Sequence, residues 1–208
     1  MDSIWLWPLA LVALLVAWPA LRPFAARLFA DRLRPQVQEE PPDHIYLLRV
    51  AEPDWRQDDA RRLAEAQLAA AGFAEAGAYV VREMPELTLG LHVHVGEKAY
   101  AVLYDHPRAG FWSEFVTRYD DGTLATFTTL EPAEVDVPDG SVYVSDPKLS
   151  LALLWKRMLG ERPQKPMLEC TRARAAQDFE KGYAESVAHH KRRKTGSARD
   201  GDPLRHAA

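Results

Sequence analysis

The chain has 208 residues and a formal net charge of −4, with one cysteine and no asparagine. Its 47% hydrophobic and 27% charged residues are typical of a globular protein, and they exclude both wholesale disorder and a fibrous repeat. The single cysteine, Cys170, excludes an intramolecular disulfide and a zinc site built from cysteines, and the lack of asparagine excludes N-glycosylation.

The N-terminal region, residues 1–34, is predicted to be a transmembrane anchor followed either by a basic helix on the membrane surface or by the frayed end of the spanning helix. Residues 4–21 form an uncharged, apolar run of 18 residues, and about 20 such residues cross a bilayer. A cleaved signal peptide is the alternative, but it needs a basic segment before the apolar run, and only Asp2 precedes this one as a charge. Positive charge after the run predicts that the rest of the chain is cytoplasmic. The arginines concerned are Arg22, Arg27, Arg32 and Arg34.

The remaining chain is predicted to contain a linker, a folded domain and a tail. Residues 35–44 are rich in proline and acidic side chains and predict a linker, whereas residues 45–190 predict a soluble domain. Residues 191–208 are basic and nearly free of large apolar side chains, so we expect a disordered tail. Residues 35–190 carry 16 basic and 26 acidic side chains, a net charge of −10. This charge disfavours nucleic acid, and we expect none as a partner.

The order of predicted elements indicates an α+β fold. A strand at His44–Val50 is followed by a helix that Asp54 caps and Gly72 ends. Alternating apolar residues and turn residues then predict an antiparallel sheet of about six strands, in which Val93 pairs with Tyr100. We expect helices to cover one face of this sheet. Two helices complete the order: Lys148–Leu159 and Met167–His190.

This order of elements resembles that of helix-grip proteins. The resemblance implies that a hydrophobic ligand is held between a curved sheet and the last helix. Aromatic side chains are concentrated in the strands of the predicted sheet, where they either pack in the core or line a ligand groove. The candidate ligand-binding residues are Tyr100, Tyr104, Trp112 and Phe127.

Two histidines form a candidate metal site. His92 and His94 project from the same face of a predicted strand, so they could share one metal ion. A third ligand is required, and Asp105 is predicted to lie roughly 13 Å along the sheet from His92, at ~3.4 Å per residue. The alternative is a pair of half-exposed strand histidines without a metal, and we expect no cofactor.

The basic tail is a candidate membrane contact. It either remains solvated or returns to the anionic inner leaflet, where each nearby cation contributes about 1 kcal/mol. Its clustered cations are Lys191, Arg192, Arg193 and Lys194. The lipid bilayer is therefore an expected partner, together with a membrane or cytoplasmic protein.

The sequence as a whole indicates binding rather than catalysis. It contains no GxSxG, Walker loop, GxGxxG or HExxH motif. We therefore predict a membrane-anchored, non-catalytic binding or interaction module that faces the cytoplasm. Two alternatives remain open: a carrier or sensor of a hydrophobic ligand at the membrane surface, and a metal-dependent enzyme that uses His92 and His94.

Overall fold

The computed structural model describes residues 41–132 and 137–200. Within these two ranges, no helix combines the length and the apolar character needed to cross a bilayer. The predicted transmembrane run, the basic helix after it and the linker up to residue 40 lie outside the described residues. The membrane anchor therefore stays a prediction.

Seven strands form a single sheet in which neighbours in the sequence are also neighbours in space. The strands are β1 (Leu47–Val50), β2 (Ala74–Val81), β3 (Met84–His94), β4 (Ala99–His106), β5 (Gly110–Arg118), β6 (Leu124–Thr128) and β7 (Val142–Ser145). Three helices are described alongside them: α1 (Asp58–Ala70), α2 (Leu151–Glu161) and α3 (Ala175–Asp200).

The predicted α+β class is confirmed, but the sheet is mixed and not wholly antiparallel. The pairs from β1–β2 to β5–β6 are antiparallel, whereas β7 runs parallel to β6. A parallel neighbour cannot follow a tight turn, because the chain must first return to the end of the sheet where the previous strand began. The segment between Thr128 and Val142 makes this return, and strand alternation in the sequence carries no information about it.

The register of β3 and β4 agrees with the prediction and defines the two faces of the sheet. Val93 pairs with Tyr100, and Leu91 pairs with Val102. Because side chains alternate along a strand, β4 presents different residues to each side. We call the side with Ala99, Ala101 and Leu103 the first face, and the side with Tyr100, Val102 and Tyr104 the second face.

Helices pack on both faces, so the prediction that they cover one face is wrong. The first face forms a core with α1 and α2, and the second face packs against the beginning of α3. The reason lies in β4, whose residues from Ala99 to Asp105 are all buried, so that apolar side chains point to both sides. A strand of this kind must be covered on both faces.

The start of α1 also differs from the prediction. Asp54 does not cap this helix, which begins at Asp58 without a side-chain hydrogen bond from its N-cap residue, Gln57. The carboxylate of Asp105, at the far end of β4, instead accepts hydrogen bonds from the backbone N–H of Arg56 (2.6 Å) and Gln57 (3.0 Å). A buried aspartate distant in sequence therefore replaces the local cap.

The last helix begins and ends later than predicted, at Ala175 rather than Met167 and at Asp200 rather than His190. It runs to Asp200, so residues 191–200, which we predicted as part of a disordered tail, continue α3. Lysine, arginine and alanine have high helix propensity, and a helix whose first turns are fixed by packing extends readily through such residues. Residues 201–208 of the predicted tail lie outside the described residues.

Candidate functional site

A groove lies between the second face and α3. Its volume is about 220 Å³, and its walls are mainly apolar. An engineered apolar cavity of ~150 Å³ accommodates a benzene molecule, so this groove has room for a small apolar ligand. The sheet contributes Leu91, Tyr100, Val102, Tyr104, Glu114, Val116, Arg118, Leu124 and Thr126, and the helix contributes Ala175, Asp178, Phe179, Gly182, Tyr183 and Ser186.

Side-chain directions repeat regularly along the strands and along α3, and this repeat explains why these side chains face one another. The sheet residues of β4 and β5 are alternate positions, because every second side chain of a strand points to the same face. The helix residues recur three and four positions after one another, as in the pair Asp178 and Phe179 after Ala175, so they form a single stripe along α3. Gly182 belongs to this stripe and contributes no side chain to the space between helix and sheet.

Polar contacts fix α3 over the second face. The hydroxyl of Tyr100 donates a hydrogen bond to the Asp178 carboxylate at 2.5 Å. The guanidinium of Arg118 donates to the backbone carbonyl of Asp178 and to the carboxylate of Glu185, both at 2.9 Å. These polar contacts add to the apolar packing of Ala175, Ala176 and Phe179 against the second face.

A second anchor connects α3 to the segment that leads into β1. The backbone N–H of Leu47 donates to the Glu180 carboxylate at 2.6 Å. Further along the helix, the ammonium of Lys191 contacts the Asp43 carboxylate at 2.6 Å. Lys191, one of the predicted membrane-surface cations, therefore already pairs with a carboxylate of the domain.

Glu114 is the polar centre of the sheet side of the groove. Its carboxylate accepts a hydrogen bond from the Tyr104 hydroxyl at 2.7 Å, and the Tyr104 ring stacks on Trp112 with ring centres 4.6 Å apart. Burial raises the pKa of Glu114, while the bond from Tyr104 opposes that change. The side chain remains only partly buried, because the groove leaves it open to solvent. The sheet side of the groove thus presents the Glu114 carboxylate in mainly apolar surroundings.

The groove continues past Glu114 towards β7. A second concavity, of about 230 Å³, shares Glu114, Leu124, Thr126 and Ser186 with the groove. Tyr143 of β7 lines this concavity, and burial together with the Glu114 carboxylate raises the pKa of its hydroxyl. Glu114 therefore lies where the two spaces meet.

The predicted ligand-binding residues are divided between the groove and the core. Tyr100 and Tyr104 line the groove. Trp112 lies behind Tyr104 and supports its ring. Phe127 is fully buried in the core of the first face and does not line the groove.

The structure places the predicted metal-binding histidines on the first face, away from the groove. His92 is buried, and its burial lowers its pKa. His94 accepts a hydrogen bond from the Glu97 backbone N–H at 3.1 Å, and its ring stacks on Trp155. The described residues contain no group of three or more His, Cys, Asp or Glu side chains that could hold a metal ion. His94 thus contributes to a turn and to an aromatic cluster.

The remaining predicted positions contribute less to this site. Cys170 is buried beneath the turn between β3 and β4, and burial raises the pKa of its thiol to about 11. Arg192 and Arg193 lie on α3, as does the backbone of Lys194. The membrane-surface arginines from Arg22 to Arg34 lie outside the described residues.

Sequence reasoning missed Glu114 and Asp178. The signal for Glu114 was weak, because it alternates with Trp112 and Val116 but shares that strand face with the charged Arg118. The signal for Asp178 was weaker, since a carboxylate next to Phe179 in a helix is commonly solvated.

Comparison with protein-family models, with curated proteins and with solved structures finds no match for this chain. The site is therefore interpreted from its own geometry.

Proposed function

We propose that this chain is a membrane-anchored, non-catalytic binding module whose folded domain holds a small apolar ligand between the second face and α3. This combines the predicted binding role with the carrier or sensor alternative suggested by the order of elements. The observation that supports it most strongly is the groove of about 220 Å³, walled mainly by apolar side chains and crossed by a helix.

The distribution of polar groups supports binding over catalysis. The Asp178 and Glu185 carboxylates are engaged in holding α3 through Tyr100, Arg174 and Arg118. Glu114 is bonded to a tyrosine, and none of the residues that line the groove is a histidine, cysteine or lysine. Apolar walls with a few placed polar groups are typical of sites that bind and orient a ligand.

The apolar run at residues 4–21 and the arginines after it support the anchored part of the proposal. An anchor would keep the groove near the bilayer, where apolar molecules are concentrated. A reporter fused after Ala208 tests the orientation: we expect activity on the cytoplasmic side, and activity confined to the opposite side would contradict it.

Ligand binding is tested with 1-hexanol, a neutral apolar molecule small enough for the groove. The full chain in lipid nanodiscs, labelled at leucine and valine methyl groups, is titrated while NMR follows Val102 and Val116 in the groove and Leu154 in the first-face core. We expect saturable shifts at the groove methyls alone. Absence of such shifts would contradict the proposal.

A matched pair of variants locates the binding. Gly182→Leu directs a side chain into the groove, whereas Gly160→Leu places the same side chain on an exposed position of α2. We expect the first variant to abolish the hexanol shifts and the second to retain them. Equal binding by both variants would place the ligand elsewhere.

A further inference from the structure

Among the residues that the structure describes, Glu114 differs from the other carboxylates around the groove in having no cationic partner. Asp178 has Arg174 at 3.2 Å, and Glu185 has Arg118 at 2.9 Å. Within residues 41–132 and 137–200, the one polar contact of the Glu114 carboxylate is the Tyr104 hydroxyl. No cation within these two ranges therefore compensates the charge of this carboxylate.

An uncompensated carboxylate in a partly buried, apolar site is energetically costly. A single hydrogen bond from a neutral hydroxyl satisfies one acceptor position and supplies no positive charge. A ligand with an ammonium group would supply both a donor and the missing charge at this position. The chemistry of Glu114 therefore selects for a cationic polar group.

A neighbouring concavity, which shares Tyr100, Arg118 and Asp178 with the groove, does not favour an anionic ligand. Its cations already have carboxylate partners: Lys98 contacts Glu169 at 2.6 Å, and Lys181 contacts Glu185 at 3.7 Å. Arg118 donates to both the Asp178 backbone and Glu185. A ligand carboxylate would have to displace one of these contacts before it could bind.

The charge of the whole domain acts in the same direction. Residues 35–190 carry a net charge of −10, which attracts cations towards the fold and repels anions. Aromatic rings also surround the carboxylate, with Tyr104 on one side and Tyr143 nearby in the adjoining concavity. Faces of such rings stabilise a bound ammonium group.

We propose that the groove binds a small apolar amine, whose hydrocarbon part lies against Tyr104 and Phe179 and whose ammonium group pairs with Glu114. This inference rests on the proposed function, because it specifies the chemical class of the ligand that the same groove takes. The volume of about 220 Å³ suits an alkyl chain of a few carbons or a single ring.

Three probes with the same hydrocarbon chain test the inference: hexylamine, 1-hexanol and hexanoate. Each is titrated into the full chain in lipid nanodiscs, and the methyl resonances of Val102 and Val116 report binding in the groove. We expect hexylamine, which is protonated at neutral pH as a lysine side chain is, to bind about tenfold more tightly than hexanol. We expect hexanoate to bind more weakly than hexanol.

Two charge variants distinguish a specific contact between the ammonium group and Glu114 from a general attraction to the negative charge of the domain. Glu114→Gln should remove the advantage of hexylamine over hexanol, and the methyl spectrum of the variant without ligand shows whether it is folded. Glu52→Gln removes the same charge from an exposed position after β1 and should retain the preference for hexylamine.

The possible results distinguish the two proposals. If hexanol binds but hexylamine binds no more tightly, the proposal of an amine ligand is wrong, and the proposal of an apolar ligand stands. The same conclusion follows if Glu114→Gln retains the preference for hexylamine. Tighter binding of hexanoate than of hexylamine would also contradict the proposal of an amine ligand. If none of the probes shifts the groove methyls, the proposed function fails together with this inference.

Discussion

The two faces of the sheet are covered in different ways. On the first face, Phe73, Phe115 and Trp155 form a closed triangle, with ring centres 4.8 to 5.5 Å apart, so that helices and sheet interlock. On the second face, α3 is held by polar contacts at Tyr100 and Arg118, and the space between these contacts and Glu114 remains open. Interlocking aromatic rings thus close the first face, whereas the second face keeps a groove beneath α3.

The largest expected effect is on the free energy of unfolding, when a leucine is replaced by alanine on each of the two faces. Leu154→Ala removes a fully buried side chain from the first-face core and should lower the free energy of unfolding by about 2–5 kcal/mol. Leu124→Ala removes a partly exposed side chain from the groove wall and should cost less than about 1.5 kcal/mol. Chemical denaturation of both variants measures the difference. Equal costs would show that the two faces contribute equally to stability.

A smaller effect is expected from the contact that holds α3. Tyr100→Phe removes the hydrogen bond to the buried Asp178 and should cost about 1–2 kcal/mol. Tyr79→Phe is the control, because its hydroxyl makes only a long bond, 3.4 Å, to the Ala76 carbonyl. Hydrogen exchange of the α3 amides should become faster in Tyr100→Phe alone. Unchanged exchange there would mean that this contact does not hold the helix.

The smallest expected effect depends on pH and concerns Glu114. Burial raises its pKa in the folded state, so the ionised form is favoured less in the fold than in the unfolded chain. The stability that depends on neutral Glu114 is fully present below the pKa that this residue has in the unfolded chain. It is lost as the pH rises through the pKa that Glu114 has in the folded protein. Glu114→Gln should therefore raise Tm at pH 8 and leave it nearly unchanged at pH 4. A gain at pH 4 that equals the gain at pH 8 would contradict this explanation.

The same contrast between the faces explains which features the sequence predicted. The register of β3 and β4 was predictable, because alternating apolar residues on both sides of a short turn allow one alignment. The same register places Tyr100 and Tyr104 on one face of β4, but it does not show which face the groove occupies. The identity of the face covered by α3 was not predictable, since β4 is apolar on both sides.

Features that depend on distant partners were predicted least well. Asp105 caps the start of α1 from 48 residues further along the chain, so the local candidate Asp54 was wrong. The parallel direction of β7 depends on the path of the chain after Thr128, and no periodic pattern in the sequence indicates that path. Glu114 became a candidate once α3 was known to lie over its face, because only then did its surroundings become apolar.

Xenon tests the central claim most directly, because it has no polar groups and occupies apolar cavities that remain open. The full chain in lipid nanodiscs is equilibrated with xenon under pressure, and methyl resonances are compared between Val116 in the groove and Leu154 in the first-face core. We expect saturable shifts at Val116, none at Leu154, and loss of the Val116 shifts in Gly182→Leu. Shifts at Leu154 with none at Val116 would show that the open space lies on the first face and would contradict this account.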